Sequence, residues 1–277
     1  MPVRPGARRA AVLGSPVAHS LSPVLHNAAY AAMGLTGRTY ERFDVDEAAL
    51  PGFVDALDAD WAGLSLTMPL KRAVIPLLDE ISETAAAVEA VNTLVFTEDG
   101  RRTGDNTDIP GMIAALHERG GEGGVRRRAR RRRHRVLRAG RPVAPVHRAG
   151  HRLCAQRGRA SEMRGWGERL GVDVTVADWA DAAQALAAPL VVATTPAGTT
   201  DALAAAVPAR PGTLFDVLYE PWPTRLAAAW AERGGAVVGG LDLLVHQAVL
   251  QCEQMTGVSP VPVEAMRTAG EQALGAR

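Results

Sequence analysis

Lysine is nearly absent from this sequence: Lys71 stands alone against thirty arginines in 277 residues. Cysteine is almost as scarce. Cys154 and Cys252 are too few for a disulfide framework or a thiolate metal site, so no metal is expected. No apolar run approaches the roughly 20 residues of a membrane span. The opening MPVRPGARRAAVLG is basic but lacks the apolar core of a secretion signal. These absences predict a soluble, reduced, cytoplasmic protein with no membrane partner. With 47% apolar residues the chain is globular, and its length allows two modest domains.

The scarcity of lysine is itself informative. Where a plain cation suffices, this sequence uses Arg. A retained lysine marks a place for an amine that can take up and release a proton, which guanidinium does not do near neutrality. The plain alternative is that one lysine survived by chance.

Charge is also unevenly spread. Eight of the ten residues from Arg126 to Arg135 are arginine, and residues 123–161 hold fourteen Arg with no Lys, Asp or Glu. The net charge of the whole chain is +1, so a segment of +14 leaves −13 for the rest. Such asymmetry is the mark of an arm for nucleic acid or membrane surfaces.

Elsewhere strands and helices alternate. Ala10–Leu13 reads as a first strand. Ser22 caps a helix, Pro23 suits its first position and Gly34 closes it. Thr39–Val45, Gly63–Thr67 and Val91–Thr97 read as strands. Asp46 caps a helix from Glu47 to about Leu57, Pro69 opens another, and Glu83–Glu89 is helical. This rhythm predicts an α/β fold with a mostly parallel sheet, whose ligands sit at the carboxyl ends of strands.

Polar residues gather at those ends. Ser20 and Ser22 follow the first strand, Thr67 and Lys71 the third, and Asn92 and Thr93 interrupt AVNTLVF. Asp105 to Asp108 follow the next turn. Each has a bland reading: Ser22 as a helix cap, Asn92 as a turn residue, Asp108 as the cap of a helix starting at Ile109. Their repeated placement favours a pocket for a small, anionic, hydroxyl-rich ligand.

The stretches GSPVAHSLSPVLHNAAY, GLSLTMPLK, AVNTL and GDNTDIPGM, followed by DVLYEPWPTRL and GGLDLLVHQAVLQ, resemble the shikimate dehydrogenase family in order and spacing. The resemblance covers roughly residues 10–118 and 165–275. It implies NADP-dependent interconversion of 3-dehydroshikimate and shikimate, in aromatic amino-acid biosynthesis. It implies that Ser20 and Ser22 bind the substrate carboxylate, that Thr67, Asn92 and Gln247 contact ring hydroxyls, and that Tyr219 lies beside the substrate. Lys71 and Asp108 form its catalytic pair. It also implies Glu83, Val217, Gly240 and Arg157 at the cofactor. Ser65 stands where the family often carries Asn, which predicts one altered substrate contact. The paired serines favour shikimate over quinate; a quinate/shikimate dehydrogenase is the neighbouring alternative. A homodimer is compatible with the resemblance.

The implied domains are a substrate-binding catalytic domain at 1–107, completed by helices in 241–277, and an NADP-binding Rossmann-like domain at 108–240. Later parts of the second fit: Val172–Val176, Leu190–Thr194 and Thr213–Val217 as strands, Trp179–Leu186 and Thr224–Arg233 as helices. Leu241–Met255 and Val263–Leu274 read as closing helices. The opening βαβ unit, expected near 125–160 with its G-x-G-x-x-G/A turn, is disrupted. No such motif occurs there, and a central strand cannot bury so many guanidinium groups.

Four readings compete for residues 123–161: a nucleic-acid-binding arm on an inactive or non-enzymatic shikimate-binding protein, a flexible surface arm, a divergent phosphate site, or locally out-of-frame sequence. The segment replaces an expected unit rather than adding to it, which disfavours the arms, so nucleic acid is not an expected partner. GC-rich codons for Ala and Gly, read out of register, give Arg, Pro and Ala, which is the composition seen. The out-of-frame reading predicts that coding DNA across codons 118–165 carries, in a shifted frame, an apolar strand, a G-x-G-x-x-A turn and a helix. Sequencing that shows no such frame overturns it.

Overall fold

A computed structural model describes residues 6, 8–120, 150–153 and 160–276. The chain divides into two compact units, Met1–Ala115 with Gly240–Arg277, and Leu116–Gly239.

The first unit holds a six-stranded sheet built from β1 (Arg9–Gly14), β2 (Thr39–Asp44), β3 (Trp61–Leu66), β4 (Glu80–Ile81), β5 (Thr93–Phe96) and β6 (Arg102–Asp105). Their order is β2-β1-β3-β5-β6-β4. Pairs β1/β2, β1/β3 and β4/β6 are parallel, whereas β3/β5 and β5/β6 are antiparallel. The sheet is therefore parallel but for β5, which runs against its neighbours. Five helices lie along the N-terminal part: α1 (Ser22–Ala32), α2 (Leu50–Asp55), α3 (Leu70–Ala73), α4 (Glu83–Val88) and α5 (Asp108–Gly120). After the second unit the chain returns with α9 (Gly240–Thr256) and α10 (Val263–Gly275).

The period of two along β1 explains the layers. Ala10 and Val12 face Leu25 and Ala29 of α1 and Val245, Ala248 and Cys252 of α9. Ala11 and Leu13 face Leu50 and Val54 of α2 and Leu70 of α3. Both faces are covered, so all six residues of β3 are buried. Gly63 of β3 is required by close approach: a Cβ there would stand 2.5 Å from the Leu94 carbonyl oxygen and 3.0 Å from Met255. Buried Arg267 of α10 pairs with Asp242 in the first turn of α9.

The second unit contains β7 (Gly150–Leu153), α6 (Ala160–Leu170), β8 (Val174–Ala177), α7 (Ala182–Ala185), β9 (Leu190–Ala193), β10 (Thr213–Asp216), α8 (Arg225–Glu232) and β11 (Ala236–Val238). Strands β11-β10-β9 form one parallel sheet and β7-β8 a parallel pair. Its core gathers Leu186, Val207, Leu214, Leu226 and Trp230. Trp230 Nε1 donates to the Gly212 carbonyl at 3.0 Å.

Several local expectations change. Ser22 does not cap α1; it is the first helical residue, preceded by Leu21, and its side chain makes no cap bond. Asp46 Oδ1 accepts from Ala49 N–H at 2.9 Å, but the helix proper begins only at Leu50. Trp179–Leu186 is a 3-10 turn followed by α7, not one helix. Most of the basic segment, with the expected disruption of the first βαβ unit, lies outside the described residues. Inside it, Gly150–Leu153 forms β7, which pairs parallel with β8 over four residues.

His26 on α1 makes the core sensitive to acid. It is fully buried and stacks on Tyr40 at 3.9 Å. Its Nδ1–H donates to the Ser22 carbonyl at 2.9 Å, and Nε2 has no partner among the described residues. A second proton would have no acceptor there. Burial lowers its pKa from 6.5 to about 4, with the bond to Ser22 opposing in part. Below pH 6.5 the unfolded chain takes up a proton that the folded chain refuses. Stability should therefore fall by about 3 kcal/mol between pH 6.5 and 4 on this account, and level off below. Urea unfolding of wild type and His26→Phe across that window checks it. The variant should show a flatter pH dependence; an equal slope contradicts the assignment.

Candidate active site

One edge of the first sheet collects the polar residues. The carboxyl ends of β1, β3 and β6 lead into Ser15–Ser22, Thr67–Lys71 and Asn106–Asp108. Because β5 is reversed, its amino end, Asn92–Thr93, reaches the same edge. Thr93 sits opposite Ser65 on one side and Asp105 on the other. Main-chain bonds tie these loops together. Ser15 N–H donates to the Met68 carbonyl at 3.1 Å, Leu66 N–H to that of Asn92 at 2.8 Å, Val91 N–H to that of Lys71 at 2.8 Å and Asn92 N–H to that of Asp105 at 3.0 Å. Gly14 lets the first two loops meet: a Cβ there would lie 2.4 Å from Thr67 Cγ2.

Lys71 Nζ lies 2.7 Å from Asp108 Oδ2, with each side chain about one-third exposed. Both groups therefore face an opening. Asp108 is not spent as a cap. Asn106 Oδ1 accepts from the N–H groups of Asp108 at 3.1 Å and Ile109 at 3.3 Å, so Asn106 caps α5. Asn106 is held by its Nδ2–H donating to the Ala90 carbonyl at 2.9 Å.

The same unit carries hydroxyls and amides with hydrogen-bonding capacity to spare. Ser20 Oγ accepts from Ser22 N–H at 3.3 Å and keeps its own hydrogen to give. Asn92, 2% exposed, is locked to Thr107 by three bonds: Nδ2 donates to Oγ1 at 2.9 Å, while Oδ1 accepts from N at 2.8 Å and Oγ1 at 3.1 Å. Gln247 of α9 donates through Nε2 to the Leu244 carbonyl at 2.9 Å, which leaves Oε1 to accept. Ser65 is not on the open side. Its hydroxyl is bonded to Tyr40 and Gln251 inside the layer under α9.

Thus Ser20, Ser22, Thr67, Lys71, Asn92, Asp108 and Gln247 all belong to the first unit. Glu83 opens α4 and is exposed, and Gly240 opens α9 and is buried. Val217 and Tyr219 follow β10 in the second unit, half-buried. Arg157 lies outside the described residues. Sequence reading placed Asn106 and Thr107 among the polar residues at a strand end without giving either a role, and it missed Gly111 and Gln251. The run Asp105–Asp108 holds four residues that can all cap a helix, which hides the one that does. Gln251, four residues after Gln247 on an apolar helix, was the available sign of a second buried amide.

Two α/β units, one carrying a lysine–aspartate contact on a sheet edge that also bears Ser20, Ser22, Thr67 and Asn92, define an enzyme of the two-domain α/β kind. A family model described as the shikimate dehydrogenase substrate binding domain matches residues 12–94, and one described as the shikimate 5'-dehydrogenase C-terminal domain matches residues 240–269. The shikimate dehydrogenase (NADP(+)) of Synechococcus sp. strain JA-3-3Ab is 36% identical over 95% of this chain and 93% of its own. The crystal structure of Mycobacterium tuberculosis shikimate dehydrogenase matches with a TM-score of 0.79 and 36% identity, covering 96% of this chain and 99% of that one. The Thermus thermophilus enzyme in complex with NADP(H) and shikimate matches with a TM-score of 0.74 and 29% identity, covering 96% and 99%. The chain belongs to the shikimate dehydrogenase family. No described helix is long and apolar enough to cross a membrane.

Gly111 supplies a test of how α5 and α9 place their side chains. A Cβ at Gly111 would fall 2.8 Å from Gln247 N and 3.0 Å from its Cα, so no residue but glycine fits. Gly111→Ala should push α9 from α5, separating Gln247 from Asp108. Calorimetric titration with shikimate should then show affinity about tenfold weaker. Unchanged affinity contradicts the placement of Gln247 in the site.

Proposed function

We propose that this chain interconverts 3-dehydroshikimate and shikimate with NADP(H), using Lys71 and Asp108 as its catalytic pair. The observation that carries the reading is the 2.7 Å Lys71–Asp108 contact, with each side chain about one-third exposed. Ser20 and Ser22 donate hydroxyl hydrogens to the substrate carboxylate at the start of α1, where the helix dipole favours an anion. Thr67, Asn92 and Gln247 hold the ring hydroxyls, and Tyr219 borders the substrate.

Reducing a ketone builds negative charge on its oxygen. The Lys71 ammonium meets that charge and delivers the proton, and Asp108 holds the ammonium in line. In the opposite direction Lys71 receives the hydroxyl proton. The nicotinamide supplies the hydride when bound, since no side chain can.

The described residues fit such a cofactor as far as they extend. In parallel sheets dinucleotides lie beyond the strand carboxyl ends. Val217 follows β10 there, with its N–H donating to the Ala193 carbonyl of β9 at 3.1 Å, and offers an apolar side chain for a nicotinamide face. The family resemblance supports Glu83, Gly240 and Arg157 as further cofactor residues, Arg157 at the 2′-phosphate. A cytoplasmic location and a homodimer complete the proposal.

NADP reduction in the presence of shikimate, followed by absorbance, tests the reading. Lys71→Ala should lower kcat about a thousandfold while the KM for shikimate shifts far less. Lys71→Arg should not restore turnover, because guanidinium keeps the charge but does not exchange the proton. Near-wild-type turnover in Lys71→Arg overturns the acid–base role.

A further inference from the structure

Between the first sheet and α9, among mostly apolar side chains, runs a buried chain of hydrogen bonds. Its members are Tyr40 of β2, Ser65 of β3, Gln251 of α9, Thr93 of β5 and Asn92, none more than 4% exposed. Gly63, two residues before Ser65, lets α9 settle close enough for Gln251 to reach the sheet.

Two main-chain groups set the direction of every bond in this chain. The Asn92 carbonyl can only accept, so the Gln251 atom 3.0 Å away is Nε2. Gln251 Oε1 therefore faces Ser65 at 2.8 Å, and the Ser65 hydroxyl must donate to it. Ser65 Oγ then accepts from Tyr40 O–H at 2.5 Å. At the other end Thr107 N–H can only donate, so the Asn92 atom 2.8 Å away is Oδ1. Gln251 Nε2 also donates to Thr93 Oγ1 at 3.0 Å, and Thr93 passes its hydrogen to Asn92 Oδ1 at 2.8 Å. Burial raises the Tyr40 phenol well above its ordinary pKa, so it stays a donor throughout the working range.

The consequence falls on Asn92. Its Oδ1 is saturated, with bonds from Thr93 Oγ1, Thr107 N–H and Thr107 Oγ1. Its Nδ2 places one hydrogen on Thr107 Oγ1. Only the second Nδ2 hydrogen is left to offer. We propose that Gln251 is a positioning residue which, through Thr93, holds Asn92 so that it presents only an N–H to the substrate. A ring hydroxyl at Asn92 is then an acceptor there and gives its own hydrogen to the neighbouring Asp108 carboxylate. The Asn92–Thr107–Asp108 corner is thereby a directional reader of a hydroxyl group. This deepens the proposed function and rests on it for the identity of the substrate.

Titration calorimetry of the full chain with shikimate tests the inference on wild type, Gln251→Met, Asn92→Ala and the double variant. Gln251→Met should weaken binding about tenfold in the wild-type background and less than about twofold when Asn92 is already Ala. Unchanged affinity, or the same factor in both backgrounds, overturns the proposal. Ser65→Ala opens one remote link, and it decides the case if Gln251→Met does not fold. A smaller loss that vanishes in the Asn92→Ala background supports the proposal, and unaltered affinity sinks it. A wild-type chain that binds no shikimate defeats the proposed function instead. The inference is then judged by NMR exchange of the Asn92 side-chain amide in the free protein. Gln251→Met should speed that exchange about tenfold by removing the support of Oδ1, and an unchanged rate overturns it.

Discussion

The Lys71–Asp108 pair depends on a division of labour at the start of α5. A helix begins with orphan N–H groups, and a Ser, Thr, Asp or Asn just before it is the usual side chain to satisfy them. Here Asn106 takes that duty for Asp108 and Ile109, itself anchored to the Ala90 carbonyl. The Asp108 carboxylate is free to turn toward Lys71 at 2.7 Å. Lys71 stands in the short α3 that follows β3, and its carbonyl accepts from Val91 N–H. Each partner is placed by backbone bonds before the ions meet. The pair is poised rather than merely attracted, which suits groups that must act on a developing charge.

Reversal of β5 is the second constraint. A fully parallel sheet would send the start of that strand to the far edge. Running β5 backwards brings Asn92 and Thr93 to the edge occupied by the ends of β3 and β6. The amides then divide the work: Gln247 keeps an acceptor open, whereas Asn92 keeps a donor. On the proposed function, a ligand rich in hydroxyls would meet both senses of hydrogen bond beside a cation and a carboxylate.

Much of this was legible in residue type and spacing. Lys71 was marked by its solitude, and the serines, Thr67, Asn92 and Asp108 by recurring where strands end. Strand direction was not legible, because an apolar run of four residues reads alike both ways. Capping was not, since Asp105, Asn106 and Asp108 compete on equal chemical terms and only the turn geometry chooses. Ser65 suggested a change at the substrate itself, yet its hydroxyl serves Tyr40 and Gln251 in the interior.

The central claim is that Lys71 and Asp108 act as one unit. A double-mutant cycle on kcat for shikimate oxidation by NADP, with Lys71→Met, Asp108→Asn and both together, measures this most directly. If the pair is one device, the double variant should be slower than the slower single variant by less than about threefold. Losses that multiply would show two groups acting independently and would contradict the account.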